Sequence, residues 1–97
     1  MRRDEVLHTL HQHYPGLIKN YGITSLALFG SVARDEATDT SDVDVLVDFG
    51  APPTFDQYMG LKFFLEDLLQ CQVDVVTMRA LKERVRPYVA KEAVRVT

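Results

Sequence analysis

Cysteine is almost missing from this sequence. Cys71 stands alone among 97 residues, so no disulfide can form within the chain. A lone thiol suits a reducing compartment, and a cytoplasmic location is expected. With no evident histidine partner, Cys71 reads as a packing residue rather than a nucleophile. Long apolar runs are missing too. None approaches the ~20 residues that cross a bilayer, so no membrane association is expected. The opening Met1-Arg2-Arg3-Asp4-Glu5 lacks the apolar stretch of a signal peptide. Positive charge is not in excess: the formal net charge is −3 and the isoelectric point 5.5. Nonspecific grip on nucleic acid needs clustered cations that displace counterions, so no direct nucleic-acid partner is expected. There is no repeat and no low-complexity tract.

What remains is the composition of one small domain, expected to span residues 1–97. A chain this short buries only about 60–65% of its unfolded surface. Hydrophobic residues make up 46% and charged residues 26%, as in ordinary globular proteins. One core and one site fit; a separate substrate-binding domain does not. Cations gather toward the C-terminus, where Arg79, Lys82, Arg84, Arg86, Lys91 and Arg95 face only Glu83 and Glu92. Such a segment suits an acidic partner or a triphosphate, although a solvated helix face is the commoner case.

Leu7, Leu10, Tyr14, Leu17 and Tyr21 recur every three or four residues, with Val6 and Ile18 widening an amphipathic helical stripe. Pro15 interrupts it, giving two short helices or one kinked helix, and Gly22 is placed to end it. Leu26-Ala27-Leu28-Phe29 predicts a buried strand stopped by Gly30. Ser31 is placed to cap a short helix reaching about Ala37, and Thr38 to Ser41 reads as a loop. Val43, Val45, Val47 and Phe49 alternate with Asp42, Asp44, Leu46 and Asp48, the pattern of a strand with one apolar face. Thr54 and Gln57 form a capping-box signature. The helix after them carries Tyr58, Leu61, Phe64, Leu65, Leu68 and Leu69 and is expected to be largely buried. Gln72 to Thr77 predicts a third strand, and Ala80 to Val85 a helix. Pro87 opens a last helix to Ala93, before a short strand at Val94-Arg95-Val96. Helices and strands mix in an α/β (α+β) pattern.

Two features carry chemistry. Gly30 permits a sharp turn and a close approach by a ligand. Ser31 follows at a helix N-terminus, where unpaired N–H groups and the helix dipole favour an anion. Alone, this is as readily a capped turn. Asp42 and Asp44 are two apart in a strand and point to one face, with Cα atoms roughly 6.5–7 Å apart. Carboxylates so placed repel unless a cation lies between them. Mg²⁺ prefers carboxylate oxygens plus substrate phosphates. Asp74 is a third carboxylate in the otherwise apolar Val73-Asp74-Val75-Val76, and it needs a partner or a metal. Were the strands adjacent, three acids would meet at one edge of the sheet, as two-metal catalysis at phosphorus requires.

Gly30-Ser31, ten intervening residues and Asp42-x-Asp44 resemble the signature of the DNA polymerase β-like nucleotidyltransferase superfamily. Leu28-Phe29-Gly30-Ser31-Val32-Ala33-Arg34, with Ser41-Asp42-Val43-Asp44-Val45-Leu46-Val47, is similar to its minimal nucleotidyltransferase branch. The resemblance runs from about Gly22 to the end. Asp35 departs from it, standing where the branch usually has glycine. The resemblance implies a small mixed sheet flanked by helices. It implies that Ser31, with Gly30, binds the triphosphate tail, that Asp42 and Asp44 ligate Mg²⁺, and that Asp74 completes a two-ion site and helps activate an acceptor hydroxyl. It implies ATP as the substrate. It also implies a partner, a HEPN-domain RNase toxin held in a hetero-oligomer and silenced when AMP is added to its tyrosine. Two alternatives stay open: a small-molecule acceptor, and a non-catalytic module that sequesters a toxin.

Other residues divide less sharply. Arg34 has two readings, a phosphate contact or a pair with Glu36 or Asp35. His8, His11 and His13 do not share one helix face, so solvent exposure is expected. Tyr14, Tyr21, Tyr58 and Tyr88 are core or interface candidates.

Overall fold

The computed structural model describes residues 2–38 and 42–97. Helix α1 spans Arg3–Tyr21 and runs unbroken through Pro15. Pro15 lies on the exposed side of the helix. There the missing N–H and the freed His11 carbonyl face solvent rather than core, which tempers the usual cost of an interior proline. Gly22 ends the helix in the left-handed conformation, its N–H donating to the Ile18 carbonyl.

Strand β1 (Ser25–Phe29) leads into α2 (Gly30–Ala33), then β2 (Val43–Asp48), α3 (Phe55–Leu69) and β3 (Val73–Thr77). A 3₁₀ turn at Met78–Ala80, α4 (Arg86–Glu92) and β4 (Val94–Arg95) complete the order. The four strands form one mixed sheet in the order β3-β2-β1-β4. β1 is antiparallel to both its neighbours, while β2 and β3 are parallel and joined through α3. This is the small mixed sheet with flanking helices that the sequence predicted.

Alternation along the strands sorts the residues. Leu26, Leu28, Val43, Val45, Val47, Val73 and Val75 are buried with Val6, Leu10 and Leu17 of α1 and Leu61, Leu65 and Leu69 of α3 in one core. The opposite face carries Ala27, Asp44, Leu46, Asp74 and Val76, and is only half covered. A cavity of 390 Å³ opens on that face between Ala27, Leu46, Met78, Ala90, Ala93 and Arg95.

Helix α3 begins as predicted, with Thr54 and Gln57 forming both hydrogen bonds of a capping box. Its burial is less complete than expected, because Phe64 is 37% and Phe63 58% exposed. Its inner side also finishes the outer edge of β3. Lys62 Nζ donates to the Val73 carbonyl (2.6 Å), Glu66 accepts from the Val73 N–H (3.1 Å), and Tyr58 Oη donates to the Val75 carbonyl (2.6 Å). Backbone groups that would otherwise invite another strand are thereby paired.

Two predicted elements differ. The helix expected over Ala80–Val85 is a turn. The Thr77 hydroxyl caps the 3₁₀ turn at Ala80, Leu81 is extended, and helix resumes only at Arg86, with Pro87 in its first turn. The helix after Gly30 ends at Ala33 rather than near Ala37. Asp35, at φ 59°, cannot continue a right-handed helix. Part of the predicted loop, residues 39–41, lies outside the described residues. No helix among the described residues is long and apolar enough to cross a membrane.

Candidate functional site

The register of the sheet brings the predicted site residues together. Phe29 at the end of β1 sits opposite Asp44 on β2, and Asp44 sits opposite Asp74 on β3. Gly30 follows Phe29 directly and turns the chain at φ 73°. A Cβ built on Gly30 would collide with the Asp44 carboxylate. Only glycine supplies both that backbone conformation and that clearance.

Ser31 is half-buried in the first turn of α2, but it does not cap the helix. Phe29 is the N-cap, and no side chain caps it. A helix of four residues also has little macrodipole. What this turn offers an anion is the Ser31 hydroxyl and the unpaired N–H groups of a helix start.

Asp42 is exposed one residue before β2, Asp44 is half-buried, and Asp74 is exposed. Burial holds the Asp44 carboxyl above the usual carboxylate range; repulsion from Asp74 and then Asp42 adds to this, and Arg34 opposes it. The three acids therefore share one electrostatic site. Among the described residues, however, no three acidic, histidine or cysteine side chains close into a ready metal cage. The donor set still fits Mg²⁺. It consists entirely of hard carboxylate oxygens, it concentrates negative charge at Asp44, and it leaves coordination positions for waters and phosphates.

Arg34 caps the C-terminal end of α2. Its Nε donates to Glu36 (3.1 Å) and its Nη1 to Glu92 on α4 (2.5 Å). Asp35, the other partner proposed from sequence, is not engaged. Its carboxylate accepts instead from the backbone N–H of Arg3, at the start of α1 (3.4 Å). The acid that departs from the family pattern thus points to an uncapped helix start. Its φ of 59° explains the customary glycine, since asparagine and aspartate are the side chains that best tolerate this region. Glu92 was not singled out by sequence reasoning. Its partner is 58 residues away, and no local pattern signals that pairing.

The side chains weighed separately can be placed individually. Cys71 is half-buried against the core, and burial, Asp42 and Glu66 push its thiol up, the reverse of an activated nucleophile. His8, His11 and His13 are exposed, with His11 Nδ1 meeting the Thr97 carbonyl. Tyr14, Tyr21 and Tyr58 pack against the core, while Tyr88 is exposed.

The fold and the placement of these residues define a nucleotidyltransferase domain. The family model described as "Nucleotidyltransferase domain" matches residues 10–96, and the chain belongs to this family. Among its relatives is the protein adenylyltransferase MntA of Thermococcus cleftensis, 37% identical, with 94% of this chain and 92% of that protein covered. A solved structure assigned as a minimal nucleotidyltransferase is 38% identical with a TM-score of 0.83, covering 97% of this chain and 95% of the other. Two more distant structures share the fold. One is a toxin–antitoxin with AMP-PNP (19% identity, TM-score 0.74, 90% and 72% covered). The other is a tri-AMPylated Shewanella oneidensis HEPN toxin in complex with an MNT antitoxin (17%, TM-score 0.67, 94% and 71%).

Proposed function

We propose that this chain is an antitoxin that transfers AMP from ATP to a tyrosine of a partner HEPN-type toxin. The observation that carries the reading is Asp44, held opposite Asp74 and against Gly30, with its carboxyl pushed up by burial and by its two acidic neighbours. Such a cluster is costly alone and is relieved by a divalent cation. The adenylyltransferase among its relatives and the AMP-PNP in a structural neighbour support ATP as the donor. The AMPylated toxin bound to another neighbour supports a toxin as acceptor.

Asp42 and Asp44 would hold Mg²⁺, with Asp74 completing the set. A divalent ion held there would supply neutralisation of the charge that develops during phosphoryl transfer. The Gly30-Ser31 turn and Arg34 bind the triphosphate tail. Asp74 accepts the proton of the acceptor phenol. The phenolic oxygen forms a bond to the α-phosphorus, the bond to the bridging oxygen breaks, and pyrophosphate leaves.

The test incubates the protein with ATP, Mg²⁺ and the product of the adjacent reading frame, followed by intact mass spectrometry. The expected result is one or more AMP additions to the partner, lost in the Asp42→Asn/Asp44→Asn variant. Neutralisation that survives that variant without any mass change overturns the reading in favour of sequestration.

A further inference from the structure

Arg34 and Glu92 join two parts of the molecule that the chain keeps far apart. Arg34 ends α2, one turn beyond Ser31; Glu92 ends α4, the helix that brings Ala90 to the cavity on the open sheet face. Both partners are partly exposed, with side chains 43% and 37% accessible. An exposed ion pair contributes little to stability. Its geometry is more informative. The guanidinium is a planar fork whose donors point in fixed directions. Glu36 engages it at Nε and Glu92 at Nη1. Two anchors on different nitrogens fix the plane of the group, and Nη2 has no protein partner among the described residues. The backbone N–H of Arg34 donates to the Gly30 carbonyl (3.1 Å), so the residue is seated on the Gly30-Ser31 turn itself.

We propose that Glu92 is a positioning residue for the triphosphate: by anchoring Nη1 it fixes Arg34 beside the Gly30-Ser31 turn, with Nη2 left to donate to a phosphate oxygen. An unanchored arginine would sample many rotamers and would have to be ordered at the moment of binding. The inference rests on the turn being the triphosphate site.

The experiment measures AMP-PNP affinity in the presence of Mg²⁺ by calorimetry, using the full chain, with circular dichroism to check folding. The variants are Ser31→Ala, Arg34→Ala, Glu92→Ala, Glu92→Gln and Arg34→Ala/Glu92→Ala. Glu92→Ala is expected to weaken binding about three- to fivefold, the range of a partly exposed ion pair. Glu92→Gln, which keeps an oxygen acceptor at the same reach, recovers part of that loss. The double variant binds no more weakly than Arg34→Ala, because Glu92 acts only through Arg34. A loss that persists in the Arg34→Ala background overturns the proposal, as does unchanged or tighter binding in Glu92→Ala. If Glu92→Ala does not fold, Glu92→Gln carries the same comparison. Should Ser31→Ala and Arg34→Ala both leave affinity unchanged, the triphosphate site itself is misplaced and both readings fall. Should Ser31→Ala weaken binding while Glu92→Ala does not, only the positioning role falls.

Discussion

The Cα of Gly30 and the carboxylate of Asp44 are so close that no side chain fits between them. The contact follows from register, since Phe29 is the partner of Asp44 across β1 and β2. It makes the turn at Gly30 and the acidic strand a single unit.

The first prediction concerns that contact. Gly30→Ala places a methyl group against Asp44 in a backbone conformation that costs an L-residue about 1–2 kcal/mol. Stability should fall by at least that amount in a urea titration, and AMP transfer should fall further than stability alone explains. Unchanged transfer would show that Asp44 does not need its present position.

The second concerns pH. The folded-state pKa of Asp44 is raised, chiefly by burial and then by Asp74 and Asp42. A carboxyl shifted this way contributes stability fully present below its unfolded pKa and lost as pH rises through the folded value. Asp44→Asn should therefore be more stable than the parent at neutral pH, and the gain should vanish in acid. Mg²⁺ should raise the parent's melting temperature at neutral pH and should do much less for the variant. Thermal melts between acid and neutral pH, with and without Mg²⁺, measure both effects.

Glu66 titrates in the opposite sense. The Val73 N–H and then Lys62 hold its carboxylate below the usual range. Its contribution is present above the unfolded pKa and is lost as pH falls through the folded one. Glu66→Gln should flatten the acid side of the stability profile. Because Glu66 binds the residue before Asp74, the same substitution should also reduce transfer; a flattened profile with full activity would separate the edge of β3 from the site.

Asp35 offers a backbone test. Asp35→Val should cost about 1–2 kcal/mol, because a β-branched residue at positive φ is a genuine outlier. Asp35→Gly relieves the conformation but lengthens the list of unfolded states and gives up the contact at Arg3, so its net change should stay within about 0.5 kcal/mol. Denaturant midpoints decide between them.

These residues also mark what sequence can and cannot convey. The capping box at Thr54 and Gln57, the Gly22 stop, the valine alternation of β2 and the start of the last helix at Pro87 are local chemistry, and they read directly. The convergence of Asp42, Asp44 and Asp74 was legible on the condition that β2 and β3 are neighbours, which they are. The extent of α2 was not legible, because it is set by Asp35 turning away toward α1. Nor was the break after Ala80, where Leu81 is extended (φ −73°, ψ 130°) and ends the 3₁₀ turn before a helix can continue. The anchoring of Arg34 by Glu92 depends on the sheet order itself, which returns the end of the sequence to its first strand.

That return has a kinetic consequence. Ala27 pairs with Arg95 and Leu28 with Val94, so the strand after the first helix meets the last strand of the fold. The β2–α3–β3 unit can form from neighbouring contacts, whereas the β1–β4 edge must close a loop that holds β2, α3, β3 and α4. Substitutions at Val94 or Val96 should therefore speed unfolding while leaving the refolding rate nearly unchanged. The edge that seats Glu92 is then expected to form late and to open early.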